Sequence, residues 1–249
     1  MLNMILPKIS CICPTFSRAY LLEEALESFL KQDYKGKKEL IIYNDFSQQE
    51  FIFEHPEIKI INSLERSPNL GHKWNVTYSY ATGEYLLTWG DDDIYLPGRI
   101  SRMINNLNQS DFLYEGSFYI LYGDVLYKKL NQTQGANIVS RKLFDAVGGV
   151  PEKNTGEDAA FNNRIAEYLG KPLDVCKDEP QFLYRWSSPR NHISQFGEDK
   201  EGETTSYQKM LEAANIYIES GKEPKGIYYL NPHWKLNWVE EVKTATLEP

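Results

Sequence analysis

The chain has 249 residues, 25% of them charged, and a formal net charge of −8, which suffices for one large α/β domain with a full core, alone or with an extension. The acidic balance argues against a nucleic-acid groove or an anionic membrane surface as the main partner, because both select basic patches. Three cysteines (Cys11, Cys13, Cys176) are odd in number and poorly spaced for a disulfide framework or a zinc site, and no apolar run is long enough to span a bilayer, so a reducing, cytoplasmic setting is expected.

Lys8 to Cys13 alternates apolar and small residues and breaks at Pro14-Thr15-Phe16-Ser17, a strand entering a loop with Ser17 placed to cap a helix. From Leu22, apolar residues recur at Ala25, Leu26, Phe29 and Leu30, the stripe of an amphipathic helix. Glu39 to Tyr43 reads as a second buried strand ending in Asn44-Asp45-Phe46-Ser47. Strand, helix, strand makes one right-handed crossover. It sets Thr15 and Asp45 side by side at one sheet edge.

A short strand over Ile58–Asn62 follows, then the loop Ser67 to Gly71 and a helix through Trp74, Thr77, Tyr78 and Ala81. Tyr85 to Trp89 reads as a buried strand that empties into Asp91, Asp92 and Asp93, just before a helix start at Pro97-Gly98. Three adjacent carboxylates repel one another unless a cation or a row of donors lies among them. Alone, the triplet reads either as a solvated acidic turn that caps the next helix or as a cation site at the sheet edge where α/β folds bind ligands. Ile100, Met103, Ile104 and Leu107 give the next helix. Neither Gly-x-Gly-x-x-Gly nor a P-loop occurs, which disfavours a dinucleotide or P-loop site.

Residues 112–130 are aromatic and β-branched and read as one or two strands around Gly123-Asp124, and Gly135 to Val139 reads as a strand running into a short helix, Arg141 to Val147. Asn154-Thr155-Gly156-Glu157-Asp158 opens a helix carrying Phe161, Ile165, Tyr168 and Leu169, and capping by itself accounts for Glu157 and Asp158 there. Phe182 to Trp186 is a late strand, followed by a polar segment with Arg190, Asn191 and His192. After a charged linker comes a helix with Tyr207, Met210, Leu211, Ala214 and Ile218 on one side. The aromatic tail from Ile227 to Trp238 reads three ways: docked on the domain, pairing two copies into a homodimer, or touching a membrane surface.

In this order the segments resemble glycosyltransferase family 2, the inverting enzymes of the GT-A fold. The resemblance rests on Ile12-Cys13-Pro14-Thr15-Phe16-Ser17-Arg18, Glu39 to Ser47, Asn69-Leu70-Gly71 with Asn75, Ala81 to Tyr85, the Asp triplet with Ile94-Tyr95-Leu96-Pro97, Gly135 to Val139 with Phe144 to Gly149, Gly156-Glu157-Asp158, and Tyr184-Arg185 followed by His192. It covers about the first four-fifths of the chain. Two departures stand out: the usual Asp-Asp-Gly-Ser is Asn44-Asp45-Phe46-Ser47, and the usual Asp-x-Asp-Asp is Gly90-Asp91-Asp92-Asp93.

The resemblance implies a mixed, mostly parallel Rossmann-like sheet flanked by helices. Residues 1–110 would form the nucleotide-binding half, 111–200 the acceptor-binding half and 201–249 a C-terminal helical and aromatic extension. It further implies transfer from a UDP-sugar to a saccharide or glycolipid acceptor, assisted by Mn²⁺ or Mg²⁺. Asp45 would accept the N3 proton of uracil or close an Asx-turn, with Pro14 and Thr15 at the same nucleoside. Asp92 would hold the cation, with Asp91 nearer the ribose, Asp93 beside it and His192 as a late ligand. Lys73 and Arg99 would neutralise phosphate, although Arg99 could instead pair with an aspartate. Asp158 would be the general base and Glu157 its partner, and Trp89, Trp186, Tyr119 and Tyr184 are candidate walls for sugar rings. The competing readings are a nucleotidyltransferase, which would need a Gly-rich first loop with a basic residue, and a sugar-nucleotide or glycan binder without turnover.

Overall fold

The computed structural model describes residues 6–186 and 203–247, with the side chains of all but 131–135 and 203–207. In chain order the elements are β1 (Ile9–Thr15), α1 (Ala19–Leu30), β2 (Lys38–Asn44), β3 (Gln49–Ile52), β4 (Ile58–Asn62), α2 (Leu70–Ser79), β5 (Tyr85–Thr88), β6 (Ile94–Tyr95) and α3 (Arg99–Asn106). There follow β7 (Phe112–Tyr122), β8 (Val125–Ser140), α4 (Arg141–Ala146), α5 (Glu157–Leu169), β9 (Val175–Cys176), β10 (Phe182–Arg185), α6 (Glu203–Glu219), β11 (Gly226–Tyr229), α7 (Trp238–Glu241) and β12 (Thr246–Leu247). The main sheet has the order β4-β2-β1-β5-β8-β7-β10-β6. Its β4-β2-β1-β5 half is parallel; β8 then enters antiparallel to both β5 and β7.

β1 is buried along its whole length because it is a central strand covered on both faces. Cys11 and Cys13 share one core with Leu26 and Phe29 of α1, and Ile12 points the opposite way into a second core with Phe112, Val139 and Phe161, as the period of two requires. All three cysteines are free and buried.

The expected serine cap of α1 differs in the structure. Ser17 lies one residue too early, with φ of 52°, and Arg18 occupies the N-cap position without a side-chain cap bond. The Ala19 N–H instead donates to Glu223 Oε2 at 2.9 Å, from far along the chain. The segments around Gly123 and Gly135 also join differently: β7 and β8 form one long hairpin turning at Gly123 (φ 58°), with irregular register between Tyr114 and Ser117.

The C-terminal residues pack onto the domain. Ala214 and Ile218 of α6 cover Phe16 and Phe46, β11 pairs with β3 in a small parallel sheet, and Trp238 is buried beside Leu96 and Leu183. The tail is therefore docked. Among the described residues, no helix is long and apolar enough to cross a membrane.

Candidate active site

The carboxyl ends of β1, β2 and β5 lie at one edge of the sheet. Thr15 pairs with Asn44 and Ile12 with Thr88, so β1 projects beyond β5 and leaves room in front of it. The open edge is a cleft of about 350 Å³ lined by Pro14, Arg18, Lys73, the Asp91–Asp93 triplet and the Glu157–Asp158 pair, among others.

The acidic triplet is buried. Arg18 bridges its first two members, with 2.8 Å contacts to Asp91 Oδ1 and to Asp92 Oδ2. Behind the third, the Arg185 N–H donates to Asp93 Oδ1 at 3.1 Å, and Arg185 Nε donates to the Asp92 carbonyl. At Gly90 a β-carbon would lie 3.0 Å from Asp93 Oδ2 and 3.2 Å from Asp92 Oδ1; a side chain there would crowd both carboxylates. Burial pushes the Asp91 carboxyl above its ordinary range despite the Arg18 guanidinium beside it. Burial, reinforced by Asp92, pushes Asp93 up still further. For Arg18, burial opposes the charge, but the two aspartates outweigh it and hold the guanidinium protonated more firmly.

Beside it, the Lys73 ammonium is buried and donates to the Thr15 carbonyl and to Asp45 Oδ1, both at 2.6 Å. Burial lowers its pKa against the pull of Asp45. Asp45 Oδ2 accepts the Ser67 N–H at 3.0 Å. The Asx-turn considered for Asp45 belongs to its neighbour: Asn44 Oδ1 accepts the Phe46 N–H.

The opposite wall is positioned by α2. Asn69 caps it through the His72 N–H. At Gly71 a β-carbon would lie 1.9 Å from the Pro151 carbonyl oxygen, so only glycine lets the helix start approach the 151–153 backbone, where the Gly71 N–H donates to the Lys153 carbonyl. Asn75 exchanges two 2.8 Å bonds with the Val150 backbone, and the Leu70 N–H donates to Asn154 Oδ1. This clamp delivers the chain to Gly156 (φ 64°) and the first turn of α5, which holds Glu157 and Asp158. Burial, then the neighbouring Asp158 charge, pushes the Glu157 carboxyl up to about 8. Asp158 is exposed to the cleft.

Of the residues singled out from sequence, Pro14, Lys73, Asp91, Asp92, Asp93, Glu157 and Asp158 line the cleft together. Thr15 and Asp45 stand directly behind Lys73. Arg99 does not join them. It is fully buried and pairs with Glu115, which Arg102 also binds at 2.8 Å; as the first residue of α3 it points into the core rather than back toward the aspartates. His192, with Arg190 and Asn191, lies outside the described residues. Among the proposed sugar walls only Tyr184 lines the cleft. Trp89 is core, stacked on Tyr95 at 3.9 Å, Tyr119 is buried against Glu179, and Trp186 stacks obliquely on Tyr184. The residues sequence reasoning missed are Arg18 and Arg185, both quoted in motifs but assigned no role. The signal was available in charge balance, since three aspartates at one strand end require nearby cations.

The family model described as Glycosyl transferase family 2 matches residues 10–167, more than half of the chain. The chain belongs to this family. A relative from Campylobacter jejuni, named GalNAc(5)-diNAcBac-PP-undecaprenol beta-1,3-glucosyltransferase, is 34% identical over 113 residues, which are 42% of this chain and 36% of that protein. The uncharacterized glycosyltransferase YwdF of Bacillus subtilis is 29% identical over 141 residues, 55% of this chain and 49% of that one. The chain thus spans about a third to a half of the length of these relatives. The fold is that of TarS residues 1–349 from S. aureus in complex with UDP-GlcNAc (TM-score 0.56, 18% identity, 85% of this chain and 73% of that chain). It is also that of the mannosyltransferase PcManGT from Pyrobaculum calidifontis in complex with GDP-Man and Mn²⁺ (TM-score 0.51, 17% identity, 85% and 70%). The mixed, mostly parallel sheet is therefore that of GT-A glycosyltransferases.

Among the described residues of this family 2 chain, no three His, Cys, Asp or Glu side chains converge to hold a metal ion by themselves. The donor set nevertheless fits a hard divalent cation whose remaining ligands come from a substrate. Its atoms are carboxylate oxygens, and Asp91 Oδ2 is buried without a hydrogen bond of ordinary geometry.

Proposed function

We propose that the chain transfers a sugar from a UDP-sugar to a hydroxyl of a saccharide or glycolipid acceptor, with inversion at the anomeric carbon. One observation carries this reading: a single cleft is lined both by a buried triplet of aspartates at the end of β5 and by a carboxylate pair at the start of α5. The first suits a diphosphate and its cation, the second an acceptor hydroxyl.

Asp158 takes the proton from the acceptor hydroxyl as its oxygen attacks the anomeric carbon, and the bond to the diphosphate breaks with its electron pair leaving on the diphosphate. Glycoside hydrolases use two carboxylates because their leaving alkoxide normally needs a proton. A bound Mn²⁺ or Mg²⁺, held by Asp92 with Asp91, would supply Lewis-acid stabilisation of the diphosphate, so one base suffices. Burial and the neighbouring Asp158 push the Glu157 carboxyl up, which disfavours a second charge in the pair. That leaves Asp158 as the base of the pair.

Arg18 rather than Lys73 or Arg99 is the phosphate-side cation. Its planar fork suits phosphate oxygens and already stands at the acidic loop on Asp91 and Asp92, whereas Lys73 faces Asp45 and the Thr15 carbonyl. Asp45 has two of its about four lone-pair sites in use, and its side chain is buried behind Lys73 rather than open to the cleft. Tyr184 and Trp74, both on the cleft wall, offer apolar faces to sugar rings.

Thermal unfolding against UDP, GDP, dTDP and CMP, each with Mn²⁺ and with EDTA, tests the donor reading, because a ligand of the folded state must stabilise it. A Mn²⁺-dependent rise with UDP alone is expected. A rise with GDP or dTDP instead would overturn the UDP assignment, and no rise with any nucleotide would point to a protein without this activity.

A further inference from the structure

The backbone and one carboxylate of the acidic loop are held by Arg185, and Arg185 is held by the buried Glu24 of α1. Arg185 Nη1 donates to Glu24 Oε2 at 2.6 Å. The other carboxylate oxygen, Glu24 Oε1, accepts the Trp238 indole N–H and the Lys235 N–H, each at 3.1 Å. A parallel link runs through Ser28: its Oγ accepts the Tyr95 N–H at 3.3 Å, just past the triplet, and the Trp234 indole N–H at 3.0 Å. The C-terminal tail, α1 and the acidic loop are thus joined by one continuous set of buried and part-buried bonds. Glu24 is 1% exposed and Arg185 6%.

The adjacent Glu23 supplies a contrast within the same helix. It is equally buried and also binds the tail, through Tyr228 and the Asn231 N–H, but every described partner it has lies in the tail. One glutamate anchors the tail alone; its neighbour anchors the tail and the arginine under the loop.

We propose that Glu24 is a positioning residue for the cation and diphosphate site: it neutralises Arg185 and fixes it against the loop, with Trp238 and Lys235 of the tail holding Glu24 in turn. This rests on the reading of Asp91–Asp93 as the diphosphate and cation loop. The physical reason is charge allocation. A buried guanidinium needs an anion. With Glu24 present, Arg185 gives its Nη1 to Glu24 and, among the described residues, its N–H and Nε to the loop. With Glu24 neutral, the full positive charge turns to Asp93 and Asp92 and competes with a divalent cation for them. Outer groups that orient and tune metal ligands typically change affinity by about 10–100-fold.

The test uses the full chain and Mn²⁺ titrations of UDP binding, read by calorimetry, alongside thermal melts. Glu24→Gln keeps the shape and removes the charge; it should raise the Mn²⁺ concentration for half-maximal UDP binding about tenfold. Trp238→Phe should shift it in the same direction but less. Glu23→Gln, which loosens the tail without touching Arg185, should leave it within about twofold even where its melting temperature falls as far. The double change Glu24→Gln with Arg185→Gln should recover Mn²⁺ affinity, because the competing charge is gone. Equal shifts for Glu23→Gln and Glu24→Gln, or no shift in Glu24→Gln while the wild type binds, would overturn the proposal alone. No UDP binding by the wild type at any Mn²⁺ concentration would overturn it together with the donor reading.

Discussion

Glu157→Gln should raise the stability of the protein at alkaline pH and leave it nearly unchanged at pH 5. The wild-type carboxyl is pushed from an ordinary value of 4.5 to about 8 by burial and by Asp158. Between those values the folded state keeps a proton that the unfolded chain releases, so wild-type stability falls as pH rises from about 4.5 to about 8 and levels off above it. At face value the shift corresponds to about 5 kcal/mol. The side chain is half-buried at the cleft wall and the ionised form is favoured by the start of α5, so screening and the helix dipole reduce this to roughly 1–2 kcal/mol. Glutamine has nothing to ionise and escapes the penalty. For a chain of this size that is a gain of about 2–8 °C in melting temperature at pH 8.5. Melts of both proteins from pH 5 to pH 9 check it; curves that stay parallel over the whole range would refute the assignment of a raised pKa to Glu157.

Three further substitutions probe the cleft and what holds it. Arg18→Met removes the bridge across Asp91 and Asp92; it should lower the melting temperature without metal and increase the stabilisation produced by Mn²⁺ alone, and an unchanged Mn²⁺ response would count against Arg18 as the loop's counter-ion. Glu115→Gln removes the ion-pair partner that the buried Arg99 and Arg102 share and should cost about 3–5 kcal/mol in denaturant unfolding; a loss below about 1 kcal/mol would show that this cluster contributes little. Gly71→Ala places a methyl against the Pro151 carbonyl and should lower kcat, with UDP affinity little altered, because it displaces the chain leading to Glu157 and Asp158 rather than the nucleotide side.

Much of the fold is legible because β1, β2 and β5 are short apolar runs bounded by turn residues, and α1 and α5 show regular apolar stripes. Less legible were elements whose stability comes from distant partners. Gln49–Ile52 becomes a strand only because Gly226–Tyr229 pairs with it, and nothing local to either segment announces the other. The long strand β8 was interrupted by its largely polar stretch from Lys128 to Gln134, so its start after Gly123 and its apolar end near Val139 read as separate strands. Within the site, the carboxylates were legible from their position at strand and helix ends. Their partners were not: Arg18 lies in the first loop, Arg185 at the end of β10, and Glu24 on a helix face where a stripe of leucine, alanine and phenylalanine gives no reason to expect a buried charge. Arg99 was misplaced for the converse reason. It is close in sequence to the aspartates, but α3 turns it toward Glu115.

The central claim is that Asp158 activates an acceptor hydroxyl against a UDP-sugar bound by the acidic loop. The most direct measurement is UDP release with Mn²⁺ and a panel of UDP-sugars and saccharide acceptors, with product anomeric configuration by NMR, in the wild type and Asp158→Asn. The account predicts a product of inverted configuration, loss of about two to four orders of magnitude in turnover for the variant, and UDP affinity within about twofold of the wild type. Retained configuration, or a variant that turns over at the wild-type rate, would contradict it.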